Sequence, residues 1–275
     1  MRKDLARLIA MAFSAAALLI VSSTLAFGQD GQEKHEPPGV NPAGGGVPMV
    51  SLQHLRATSF GPAPRTANGK PDLSGIWSPA NHLGDLSTGL KPGEKILIQP
   101  WALKLSEERQ TAAGRRSDTK ANCLPDGVPR QDPFPWKIVQ TPNLIVFLLE
   151  GNVHSYRQIF TDGSDHPKED LEPAWYGDSR GHWEGDTLVV DTIGFNDKTW
   201  LDGLGRPHTE KLHVIERFKR PDSGHLDFEV TIDDPGAYAA PFTVDAHSTL
   251  LVNTELMEYW CIENGAQDVS HIVGE

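Results

Sequence analysis

The 275-residue chain carries 37 Asp and Glu against 25 Lys and Arg, a formal charge of −12. An acidic surface of this kind repels phosphate backbones, and no local basic cluster compensates, which argues against nucleic acid as a partner. The length suits one domain with a substantial core; beyond the N-terminal region the longest apolar run, 144–149, matches a strand rather than a membrane span.

Residues 1–28 have the three parts of a secretory signal peptide. Arg2, Lys3 and Arg7 form a basic start, residues 8–21 are apolar apart from Ser14, and Ala26-Phe27-Gly28 offers a small-x-small site for cleavage before Gln29. Cleavage predicts a periplasmic or extracellular protein with no stable membrane span, and it makes the chain two charge units more acidic. The alternative, an uncleaved anchor, requires about 20 strongly apolar residues, which this interrupted stretch lacks. Residues 29–71 read as a flexible tether and lead-in, because 29–50 hold nine Gly or Pro and few large apolar side chains.

Residues 72–275 are expected to form a single β-barrel domain. The first strand is 73–77. Pro100 starts one short helix, 101–113, with Leu103 and Leu105 against a charged face of Glu107, Glu108 and Arg109. A polar loop, 111–131, holds Cys123. Period-two patterning then takes over: 137–140 and 144–150 flank Thr141-Pro142-Asn143, followed by 153–160. The stretches 182–184 and 187–195 join across Gly185-Asp186, and 210–219 and 225–232 lie either side of 221–224. The last strands are 242–245 and 254–261. About ten short strands in adjacent pairs predict a mainly β fold: an antiparallel up-and-down meander, closed into a calycin-like barrel or laid out as two stacked sheets.

Cys123 and Cys261 are the only cysteines. In an oxidising compartment a lone pair forms a disulfide more readily than a redox or metal site, and neither residue has a local nucleophile signature.

Alternation marks candidate functional carboxylates. Glu216 shares a strand face with Leu212, Val214 and Phe218, and Asp191 shares one with Val189, Ile193 and Phe195. An acid on an apolar row needs a partner or a shifted pKa, so each is either an acid–base group or half of a buried pair with Arg157 or Arg217. His208 and His213 are the proton-transfer candidates. Asp162 and His166 occupy one polar loop, Tyr176, Asp178 and His182 lie in the next segment, and Asp197 precedes Trp200 in a third. Trp183 and Trp200 beside these acids and histidines suit stacking on a sugar ring or polycyclic ligand, and equally suit turn capping. His208, Glu210 and His213 offer metal-ligand types, but on a strand His213 faces away from Glu210, so no metal is expected. No Gly-rich phosphate loop or Gly-x-Ser-x-Gly elbow occurs, and no cofactor is expected.

Several motifs together carry a resemblance. They are Pro71-Asp72-Leu73-Ser74-Gly75-Ile76-Trp77, Asn122-Cys123-Leu124-Pro125-Asp126-Gly127-Val128-Pro129-Arg130, Arg157-Gln158-Ile159-Phe160-Thr161-Asp162-Gly163, and Gly181-His182-Trp183-Glu184-Gly185-Asp186-Thr187-Leu188-Val189-Val190-Asp191-Thr192. With Pro207-His208-Thr209-Glu210 and Glu258-Tyr259-Trp260-Cys261, they resemble a family of secreted bacterial proteins abundant in acidobacteria and some proteobacteria, to which little function attaches. This chain departs from that pattern at Ser164, where arginine is usual. Gly75-x-Trp77 also resembles the first strand of lipocalin-like barrels.

These features lead to one expectation with two alternatives. The expected protein is an exported barrel that binds a small organic molecule, sugar-derived or a hydrophobic metabolite; if it is an enzyme, its chemistry is cofactor-free acid–base catalysis of lyase, isomerase or hydrolase type. In that scheme Asp191 or Glu216 is the inward carboxylate, with Trp183 and Trp200 as the stacking surface and Asp162, His166, Tyr176, Asp197 and Arg157 as ligand contacts. The alternatives are a non-catalytic ligand-binding protein of the periplasm or envelope and a protein-interaction module.

Overall fold

Strict two-residue alternation builds the core. In the strand His225–Asp233, Leu226, Phe228, Val230 and Ile232 are buried while Asp227, Glu229 and Thr231 point the other way. The computed structural model describes residues 56–261 apart from 59, 131–133, 152, 170 and 259. The signal peptide and the tether over 29–50 lie outside the described residues.

Nine strands close into a barrel: β1 Gly75–Trp77, β2 Trp136–Gln140, β3 Leu144–Leu149, β4 Tyr156–Phe160, β5 Asp178–Glu184, β6 Thr187–Ile193, β7 His213–Lys219, β8 His225–Asp233 and β9 Phe242–Leu251. The short β1 pairs with both β2 and β9 and so removes the open edge. The fold is thus the calycin-like barrel that the strand pattern predicts, as opposed to two stacked sheets.

The structure corrects the meander at one seam. Eight of the nine strand pairings are antiparallel, but β4 and β5 run parallel, with Ile159 opposite Ser179. A parallel pair needs a crossover of a dozen or more residues, and 161–177 supplies it without a helix, so no periodicity announced it. Smaller corrections follow. The helix, α1 Pro100–Arg109, lies between β1 and β2 rather than before the barrel, and it buries Ala102 and Ser106 while Leu103 is exposed. β7 starts at His213, β9 runs on to Leu251, and the described part of 254–261 forms no strand.

The barrel axis is filled by side chains. Trp136, Phe147, Phe218 and Phe228 stack in a chain with successive ring centroids 5.1, 5.6 and 5.0 Å apart. One end is closed by the lead-in to β1. There the Arg220 guanidinium lies 4.9 Å from the Trp77 ring and donates to the carbonyls of Asp72 (2.5 Å), Ser74 (3.2 Å) and Ser223 (2.6 Å), while Trp77 Nε1 donates to Leu73 O. Gly75, with φ +144°, makes the bend that brings these groups together.

Connecting segments cover the other end. Trp200 is only 1% exposed and sits between Arg109 and Arg130, whose guanidiniums lie 5.2 and 5.4 Å from its ring. Arg130 in turn grips Asp118 with two 2.7 Å bonds. Gly127, at φ +77°, lets the chain pass so close to Thr199 that a Cβ would fall 2.5 Å from its hydroxyl. Cys123 and Cys261 form the expected disulfide, with Cα atoms 5.6 Å apart across 138 residues of sequence. It fastens the segment after β9 to this cap.

Candidate functional site

The outer face of β5, β6 and β7 carries a linked row of ionisable groups. Alternation turns Asp178 and Arg180 of β5, Asp191 of β6 and His213 of β7 outward, while Ser179, Thr192 and Val214 turn inward. The crossover returns over this face and brings in His166. Its Nδ1 lies 2.6 Å from Asp178 Oδ1 and its Nε2 lies 2.9 Å from Asp191 Oδ1. The second oxygen of Asp191 is 3.0 Å from His213 Nε2. The result is a four-membered chain, Asp178–His166–Asp191–His213, spanning three strands and a loop.

Hydrogen-bond capacity constrains its protonation. Carboxylate oxygens only accept, so His166 satisfies both contacts only when both ring nitrogens carry protons. Arg180 offsets the acid behind it, with Nε and Nη2 at 2.7 and 2.8 Å from the two Asp178 oxygens. Burial pushes the Asp178 carboxyl up, but the Arg180 and His166 hydrogen bonds prevail and hold it below the usual carboxylate range. Asp162 accepts from Ser164 Oγ and N, which lowers its pKa, and Ser164 Oγ accepts from Arg180 Nη1 at 2.5 Å. Ser164 therefore ties the crossover to Arg180.

At the end of this chain His213 is 35% exposed in its side chain and Asp191 39%. His213 Nε2 donates to Asp191, and Nδ1 has no hydrogen-bond partner among the described residues. This is an oriented imidazole with one nitrogen available to a ligand.

The other sequence candidates separate. Glu216 does face inward, where Arg157 binds it at 2.5 and 3.1 Å and also reaches Ser179 and Thr192. Asp191 does not: its companions Val189 and Ile193 are covered on the outer face, so the apolar row that suggested an inward carboxylate belongs to the outside of the barrel. His208 is buried and sealed by its own contacts: Nδ1 donates to Thr209 O, Nε2 accepts from Thr199 Oγ1, and burial pushes its pKa down. Trp200, expected as a stacking surface, is enclosed between Arg109 and Arg130. Trp183 is half-buried at the Arg220 end under Lys70, Tyr176 bonds Ser155 through its hydroxyl at 2.7 Å, and Asp197 is exposed. His208 and His213 are held by different partners, and among the described residues no three His, Cys, Asp or Glu side chains converge as a metal site.

Sequence reasoning names Asp178 without giving it a role and misses Arg180 and Glu150. Asp178 and Arg180 were legible as an outward i, i+2 pair on a strand, but β5 was started four residues late. Glu150 was not singled out. It is 2% exposed, and among the described residues it accepts only the Met257 N–H, at 2.8 Å through Oε2, leaving Oε1 without a hydrogen-bond partner. Burial raises its pKa, against the opposing effects of that N–H and of His154.

Comparison with protein-family models, curated proteins and solved structures returned no match to this chain.

Proposed function

We propose that this is an exported barrel protein that binds a small organic molecule on the outer face of β5–β7 and performs cofactor-free acid–base chemistry there. The observation that carries this is the partly exposed His213 imidazole, held through Nε2 by Asp191, with no hydrogen-bond partner for Nδ1 among the described residues. His213 Nδ1 takes a proton from the bound molecule, Asp191 stabilises the imidazolium that forms, and His166 steadies Asp191 from its other oxygen. Positioned proton transfer of this type contributes about 10²–10⁴-fold in rate. Export rests on the N-terminal signal pattern, and the Cys123–Cys261 disulfide accords with an oxidising compartment.

The test begins with a thermal-shift screen of the mature protein against sugars and hydrophobic metabolites, followed by turnover assays on the hits. His213→Gln and Asp191→Asn are expected to lower turnover at least about 10²-fold with smaller changes in binding. Unchanged turnover in both variants would remove the acid–base assignment. Binding without turnover in the wild type would favour a non-catalytic ligand-binding protein.

A further inference from the structure

A second surface, separate from His213, has the makings of a binding site. The segment between β1 and α1 lies against β8 and β9, and two hollows of about 460 and 440 Å³ open beside it. Both are lined by Glu229, and Lys91, which lines the smaller hollow, lies 3.8 Å from it, both side chains being half-exposed. The two hollows adjoin at Glu229 and are taken together as a trough.

The register arranges its floor in columns. Arg217 lies opposite Glu229, which lies opposite Asp245; Lys219 lies opposite Asp227, which lies opposite His247. Adjacent strands are about 4.8 Å apart, so a cationic column on β7 runs beside an anionic column on β8 at that spacing. Lys91 and Lys95 add cations and Glu94 an anion from the overhanging segment. Cations and anions are thus balanced in the trough of a protein whose overall charge is −12. Among the described residues Lys219, Asp227 and Asp245 make no ion pair or side-chain hydrogen bond, so their capacity is open. Burial pushes the His247 pKa down, which keeps a neutral ring with one donor and one acceptor at the edge.

A ligand of one charge would meet as many repelling as attracting groups here. Peptides commonly add to a strand edge or lay an apolar face into a groove, but this sheet face belongs to a closed barrel and offers charged side chains instead. Hydroxyl groups both donate and accept, and so match alternating acceptor and donor columns. We infer that the trough binds an uncharged polyhydroxylated chain, a short oligosaccharide, across β7–β9. This does not depend on catalysis at His213.

The disulfide-intact mature protein should be titrated calorimetrically with maltohexaose, cellohexaose and chitohexaose at up to millimolar concentration. Saturable binding of at least one is expected. Asp227→Asn and Lys219→Met should each weaken it about tenfold, the loss expected for a hydrogen bond to a charged group, whereas Glu107→Gln on α1 should leave it unchanged. Unaltered thermal unfolding of the variants establishes that they fold. Absence of binding to all three sugars, affinity indifferent to both trough substitutions, or preferential binding of a Lys/Glu-alternating peptide would overturn the proposal.

Discussion

Arg157 on β4 and Glu216 on β7 meet inside the barrel through two hydrogen bonds of 2.5 and 3.1 Å, with side chains 1% and 0% exposed. Ser179 and Thr192 take the guanidinium's remaining contacts, so the pair is satisfied where water is excluded. Removing one partner strands a buried charge. Arg157→Met is expected to cost about 3–5 kcal/mol in guanidinium chloride unfolding, while Arg157→Met with Glu216→Leu should recover most of that loss. A double variant as unstable as the single one would mean that the pair does more than neutralise itself.

The Cys123–Cys261 bridge closes 138 residues of sequence. On the chain-entropy model such a loop is worth at most about 5 kcal/mol. Cys123→Ser with Cys261→Ser should therefore lower the unfolding midpoint markedly, and adding a reductant should lower the wild type but not the double variant. Equal midpoints for all three species would show that the bridge leaves the unfolded chain no more restricted.

Glu150 gives a pH dependence with a definite sign. Its folded pKa lies above the unfolded value because burial disfavours the anion, so the unfolded chain releases this proton first as pH rises. Stability contributed here falls between the ordinary carboxyl range and the raised native value. Glu150→Gln keeps an acceptor for the Met257 N–H and removes the charge, so it should gain on the order of 1 kcal/mol relative to wild type at pH 8 and nothing at pH 4. A constant difference at both pH values would contradict the assignment.

His166 pins the crossover and Asp178 is the acid that holds it. His166→Ala should raise amide exchange across 161–177 while the β5–β6 ladder stays protected. The Asp178 pKa is depressed, so its contribution is present above the unfolded carboxyl range and is lost as pH falls through the native value. Asp178→Asn should flatten the acid limb of the stability profile. An unchanged limb would show that other carboxyls set it.

Much of the architecture was legible because it is local. The residue pattern located all nine strands at least in part, placed Glu216 inward and offered Arg157 or Arg217 as its partner, since side-chain direction on a strand follows from sequence parity. Parity alone does not say which side of a sheet becomes the core. Asp191 had apolar neighbours on its own face, and only closure of the barrel showed that face to be outside. The parallel β4–β5 seam depends on where a helix-free crossover lands, which is a long-range packing outcome, and that landing is what brings His166 to Asp178 and Asp191. The amino-acid pattern by itself determined a mainly β meander, an inward acid at Glu216 and a single pair of cysteines to bridge; closure of the barrel and the choice of Arg157 over Arg217 came from the tertiary structure. The site on its outer wall was decided by tertiary structure, because its members come from three strands and a loop whose meeting no sequence spacing encodes.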